Sequence, residues 1–173
     1  TVLLGADLRK PKIFQDFGLT NEVGLSSYLI RNATLKEALQ ATHIENLDLI
    51  ASGPIPPNPA ELIESQTMDQ LFQELEQHYD AIIIDSPPLG LVTDALLLKK
   101  YADAALYIVR HNYTKKSYLE NINQLYNDKI ITNLGIVVNA VQQKGMFGGY
   151  GYGYGYGYGY GYGYGYYAED IKK

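Results

Sequence analysis

Two short segments place a carboxylate directly after an apolar run. Thr1-Val2-Leu3-Leu4 leads into Gly5-Ala6-Asp7-Leu8-Arg9-Lys10-Pro11, and Ile82-Ile83-Ile84 leads into Asp85-Ser86-Pro87-Pro88. A carboxylate delivered by the end of a buried strand is held by rigid backbone, which is what a magnesium ion or its bound water requires of an oxygen donor. An Asp in such a place also serves plainer purposes, capping the next helix or opening a turn. Arg9 and Lys10 lie beside Asp7. The third source of chemistry is phenolic. Ten of the 17 tyrosines are Tyr150, Tyr152, Tyr154, Tyr156, Tyr158, Tyr160, Tyr162, Tyr164, Tyr166 and Tyr167, alternating with glycine up to a closing doublet. Accessible phenols invite phosphorylation, although a Gly/Tyr alternation also describes an adhesive low-complexity tail or an aggregation-prone strand.

The acids matter only if the elements around them bring them together. Leu47 to Ala51, Ala81 to Ile84, Ala104 to Val109 and Gly135 to Val138 are short apolar runs without alternation, the mark of strands covered on both faces. Between them lie helix signals: Thr34-x-x-Glu37 has the form of a capping box, and Asn58-Pro59-x-Glu61 puts Pro at a first helical position. Met68, Leu71, Phe72, Leu75 and Tyr79 recur at helical spacing, as do Tyr118, Ile122, Leu125 and Tyr126, and both stripes read as core packing. Strands alternating with helices predict an α/β fold with a doubly wound, mainly parallel sheet. Such sheets bind ligands at the carboxyl ends of their strands, where Asp7 and Asp85 fall. Residues 1–145 are expected to form the domain. Residues 146–173 are expected to be a flexible tail, because glycine at every second position from Gly149 to Gly165 raises the entropy that folding must remove and no aliphatic side chain within that run rewards it.

Composition narrows the classes. The 173 residues are 46% hydrophobic and 19% charged, with a formal net charge of -5, which argues against a general nucleic-acid binder. With no cysteine, and with His43, His78 and His111 far apart, neither a disulfide framework nor a structural zinc site is expected. No apolar run approaches the roughly 20 residues of a membrane span, so a cytoplasmic location is expected. The opening strand, already under way at Thr1, reads as the start of a fragment.

Taken together, Ala6-Asp7-Leu8-Arg9-Lys10-Pro11, Gly53-Pro54-Ile55-Pro56-Pro57-Asn58-Pro59-Ala60-Glu61-Leu62, Ile84-Asp85-Ser86-Pro87-Pro88 and the tyrosine cluster resemble the bacterial tyrosine kinases (BY-kinases) of capsular and exopolysaccharide synthesis. The first segment resembles that family's Walker A prime motif and the third its Walker B motif, on a P-loop NTPase core of the deviant Walker type. The resemblance implies autophosphorylation of the tail in trans, with ATP and Mg2+ as cofactors. Asp7 and Asp85 would then act around the metal, Arg9 in catalysis, and Lys10 and Asn139 at the nucleotide. It implies a ring-like homo-oligomer, a membrane activator or polysaccharide co-polymerase domain, fused or separate, a tyrosine phosphatase, and a place at the inner face of the cell membrane.

Two features depart from the family pattern. Gly5 stands where the family has the first acid of an Asp-x-Asp pair, and the 173 residues contain no Gly-x-x-x-x-Gly-Lys-Ser/Thr phosphate loop. The chain alone is therefore expected to bind ATP poorly and to be inactive. A deviant-Walker ATPase of the partition or division-site type, and a catalytically dead module bearing an interaction tail, are the alternative readings.

Overall fold

The computed structural model describes residues 1–89 and 94–141. In chain order these form β1 (Val2–Gly5), α1 (Ile13–Asp16), α2 (Leu25–Leu29), α3 (Leu35–Ala38), β2 (Leu39–Ala41), β3 (Asp48–Ile50) and α4 (Pro59–Ile63). They continue with α5 (Gln66–His78), β4 (Ile82–Asp85), α6 (Asp94–Leu97), a 3-10 turn (Leu98–Tyr101), β5 (Ala105–Arg110), α7 (Lys116–Asn127) and β6 (Leu134–Asn139). The four strands expected after β1 are present, each shifted by a residue or two.

Sheet order is β2-β3-β1-β4, with β1 parallel to both β3 and β4, and β5 and β6 form a separate parallel pair. The mainly parallel α/β reading holds. One strand was not foreseen: β2 runs antiparallel to β3. Its return is set locally by Thr42, whose Oγ1 accepts from the Ile44 amide at 3.0 Å and donates to the Leu47 carbonyl at 2.7 Å, closing a turn too short for a crossover.

The helix signals act as chemistry demands. Thr34 and Glu37 cap each other reciprocally, the Thr34 amide donating to Glu37 Oε2 at 2.7 Å and the Glu37 amide to Thr34 Oγ1 at 3.4 Å. Pro59 opens α4. Ser65 caps α5, whose Met68, Leu71, Phe72 and Leu75 are buried against Val2 and Leu4 of β1, Ile50 of β3 and Ile63 of α4 in one cluster. Each such side chain contributes roughly 1.5–3 kcal/mol by leaving water. At the end of α5 the Tyr79 hydroxyl donates to Asp48 Oδ2 at 2.8 Å, fixing the helix to the entry of β3.

The expectation of strands covered on both faces fails for the second pair. Leu106 is 70% exposed, and Ile108, Ile136 and Val138 are each more than half exposed. Among the described residues β5 and β6 pair only with each other, and β4 pairs only with β1, so apolar composition outruns the surface available to bury it.

Candidate active site

The site grows from the ends of two adjacent parallel strands. Gly5 of β1 stands in register with Asp85 of β4, and the ladder continues one step further, with the Ala6 amide donating to the Asp85 carbonyl at 2.8 Å. Beyond Ala6 the chain turns on Asp7. Its Oδ1 accepts from the amides of Arg9 at 3.1 Å and Lys10 at 3.0 Å, an Asx-type turn that seats a buried carboxylate at the strand end. Leu8, almost fully buried, anchors the same turn in the core.

Asp85 is held up to about 6, against an ordinary value of 3.8, first by burial and then by the negative charges of Asp7 and Asp16. The two sequence-predicted acids are thus brought close enough to repel. Asp16, at the end of α1, belongs to the same electrostatic group. Sequence reasoning missed it because nothing in its own segment follows a strand. Two carboxylates that resist sharing negative charge offer a place for a cation. Among the described residues no set of three or more His, Cys, Asp or Glu is arranged to hold one. Two carboxylates nevertheless suit magnesium, which keeps several waters and draws its remaining oxygens from substrate phosphates.

Arg9 extends from the Asp7 turn and forks onto Asp94, with Nε donating to Oδ2 at 2.6 Å and Nη2 to Oδ1 at 3.0 Å. Asp94 is the first residue of α6, only 1% exposed, whereas Arg9 is 43% exposed. Sequence reasoning missed Asp94 as well, although a carboxylate opening a helix nine positions after Asp85 was a legible signal. Lys10 lends its backbone amide to Asp7. Asn139 ends β6 and accepts from the Ala140 amide at 2.7 Å through its side-chain oxygen. It therefore sits at a strand end as expected, but on the second sheet. The ten tail tyrosines lie outside the described residues.

Gly5 is tightly surrounded. A Cβ there would fall 2.9 Å from Ser52 Oγ, 3.1 Å from the Ser52 amide nitrogen and 3.2 Å from Ile13 Cγ2. Ser52 Oγ is buried and, among the described residues, has no hydrogen-bond partner. The hydroxyl thus faces the position that stands in register with Asp85. A separate cavity of about 330 Å3 lies between β5 and α7, lined by Tyr107, Tyr118, Ile122 and Leu125 among others, and none of Asp7, Asp85 or Asp94 borders it.

No family model matches the chain. Among curated proteins, it is 37% identical over 152 residues to the tyrosine-protein kinase YwqD of Bacillus subtilis, covering 87% of this chain and 64% of that one. It is 31% identical over 156 residues to the tyrosine-protein kinase CpsD of Streptococcus agalactiae, covering 87% and 68%. The chain therefore spans about two thirds of these relatives. Among solved structures, the chimerical protein CapA2B2 superposes with a TM-score of 0.78 at 37% identity, covering 82% of this chain and 63% of that one. The kinase domain of the Escherichia coli tyrosine kinase ETK gives 0.76 at 29%, covering 88% and 60%. The septum site-determining protein MinD of Pyrococcus horikoshii, solved with Mg-ADP, gives 0.61 at 18%, covering 79% and 56%, a likeness of fold alone. The fold is that of P-loop NTPases.

Proposed function

This chain belongs to the bacterial tyrosine kinases of capsular and exopolysaccharide synthesis, and from that premise we propose that its protein transfers the γ-phosphate of ATP to the tyrosines of its own tail. The observation that carries the reading is the pairing of Asp7 and Asp85 at adjacent strand ends, in a chain that also carries ten closely spaced phenols.

In this reading Asp7 and Asp85 hold the shell of a magnesium ion, whose charge neutralises the phosphates when Mg-ATP is bound. Lys10, in the turn on Asp7, and Asn139, at the end of β6, make the nucleotide contacts. The phenolic oxygen of a tail tyrosine forms the new O–P bond, the bond from the γ-phosphorus to the bridging oxygen of ADP breaks, and the phenol's proton passes to a nearby carboxylate. A phenol with a pKa near 10 needs such a base, and positioning supplies most of the remaining acceleration. The tail tyrosines enter a neighbouring subunit's site, in a ring-like homo-oligomer at the inner face of the membrane, and a tyrosine phosphatase resets them. A membrane activator, fused or separate, recruits the ring and couples it to polymer export. The 173 residues alone are inactive, because they lack the glycine-rich loop whose backbone amides and lysine cradle phosphates.

Intact-mass spectrometry after incubation with Mg-ATP tests this, with the chain alone and with a competent full-length kinase of the family. A ladder of phosphate additions only in the second mixture is the expected result. A ladder from the chain alone would overturn the inactivity. No ladder in either mixture would overturn the tail as substrate.

A further inference from the structure

We propose that Asp94, acting through the guanidinium of Arg9, is a positioning residue that fixes the Asp7 turn against the strand end carrying Asp85 and thereby sets the affinity of the acid pair for magnesium. The inference rests on the acid pair taking magnesium, as proposed above.

The geometry forms a closed circuit. The turn is tied to β4 at its start, where the Ala6 amide donates to the Asp85 carbonyl at 2.8 Å. Two residues past Asp7 it is tied again, where Arg9 forks onto Asp94 at 2.6 and 3.0 Å. Asp85 and Asp94 are the two ends of one connection, so a single turn grips the chain where it leaves the acid and where it re-enters a helix. Arg9 is also the residue whose amide, with that of Lys10, holds Asp7 Oδ1. Any shift of the Arg9 side chain is carried by its own backbone to the group that orients the acid.

The pair is built for this in a way that a surface ion pair is not. A buried carboxylate left without its partner is costly, so Asp94 at 1% exposure holds the guanidinium firmly. A planar fork constrains orientation as well as distance, which a lysine ammonium on a flexible stem does not. Lys100 and Asp69 provide the contrast: they lie 2.7 Å apart, but both are nearly half exposed.

The test uses the full-length kinase with Asp94→Ala, Asp94→Asn, Arg9→Lys and the control Asp69→Asn. Calorimetry reads the Mg2+ dependence of ADP binding, phosphotransfer reads the half-saturating Mg2+ concentration, and thermal unfolding reads stability. Asp94→Ala and Arg9→Lys are expected to raise half-saturating Mg2+ by roughly tenfold, the low end of what losing an outer-shell partner brings. Asp94→Asn should recover part of that shift, because its amide oxygen still accepts from Arg9 Nε, and Asp69→Asn should leave it unchanged. Lowered melting temperatures with no change in Mg2+ half-saturation would overturn the proposal and leave the fork a strut of the fold. Arg9→Lys alters only the exposed partner, so it decides the matter if the Asp94 variants fail to fold. Should the wild type bind Mg-ADP but transfer no phosphate, the kinase reading falls while calorimetry still decides this one. A wild type that binds no Mg-ADP would overturn both.

Discussion

At the scale of single residues, the site turns on what surrounds Gly5 and Asp85. A methyl group at position 5 would press on the Ser52 amide, which is backbone and cannot rotate away as a hydroxyl can, and on Ile13 Cγ2. Gly5→Ala should therefore cost about 1–3 kcal/mol, the usual range for overpacking, read as a lowered urea midpoint. Gly5→Asp meets the same crowding and adds a carboxylate beside Asp85, which already feels the charges of Asp7 and Asp16, so without metal it should destabilise more than Ala. In the full-length protein Gly5→Asp should also raise autophosphorylation; an unchanged rate would show the first acid to be dispensable. Asp85 makes a pH prediction. Its folded pKa is raised, so the cost of holding its charge is fully present above about 6 and is relieved as pH falls toward 3.8. Without metal, this group favours the folded state more as the solution is acidified through that window. A metal bound at Asp85 competes with the same proton, so Mg2+ affinity should weaken below pH about 6. Calorimetry across pH 5–8 on wild type and Asp85→Asn checks the sign, and a flat wild-type profile would remove Asp85 from the metal shell.

At the scale of elements, α5 organises the larger sheet. Its buried stripe covers one face, and Tyr79 then fastens the helix end to β3 through Asp48. Burial and the Asp48 carboxylate together push the Tyr79 phenol up to about 12, the mark of a hydroxyl held as a donor. Tyr79→Phe removes that donor while keeping the ring. A loss of about 1.5–3 kcal/mol is expected, the range for a hydrogen bond to a charged group, read by chemical denaturation against an Asp48→Asn and Tyr79→Phe double-mutant cycle. The stripe was legible because spacing at 3.6 residues has few other causes. The β2 strand was not, since Leu39-Gln40-Ala41 carries no pattern of its own and pairs only because the Thr42 turn folds it back.

For the whole molecule, charge is the quantity that the proposed chemistry changes. The chain starts at -5, and each phosphate on a tail tyrosine adds roughly -1.5 to -2 at neutral pH. Several additions would exceed the starting charge, so subunits sharing a ring should repel increasingly as the tail fills. Sedimentation of the full-length kinase, fractionated by phosphate number, is expected to show association weakening stepwise and recovering in high salt, which screens such repulsion. Association indifferent to phosphate number would remove the tail as an assembly counter.

The sequence by itself determined five of the six described strands, helices α3, α4, α5 and α7, the parallel character of the sheet and the two acids, because buried strands and capped helices leave periodic signatures within a few residues. Asp7 and Asp85 were legible for the same reason: each directly follows an apolar run. Only the tertiary structure decided that Asp16 shares their field, that Asp94 seizes Arg9, that Ser52 crowds Gly5 and that β5 and β6 leave apolar side chains exposed. These relations join residues up to 85 positions apart. Local pattern records what a segment must bury, whereas packing between distant segments decides which neighbour meets it.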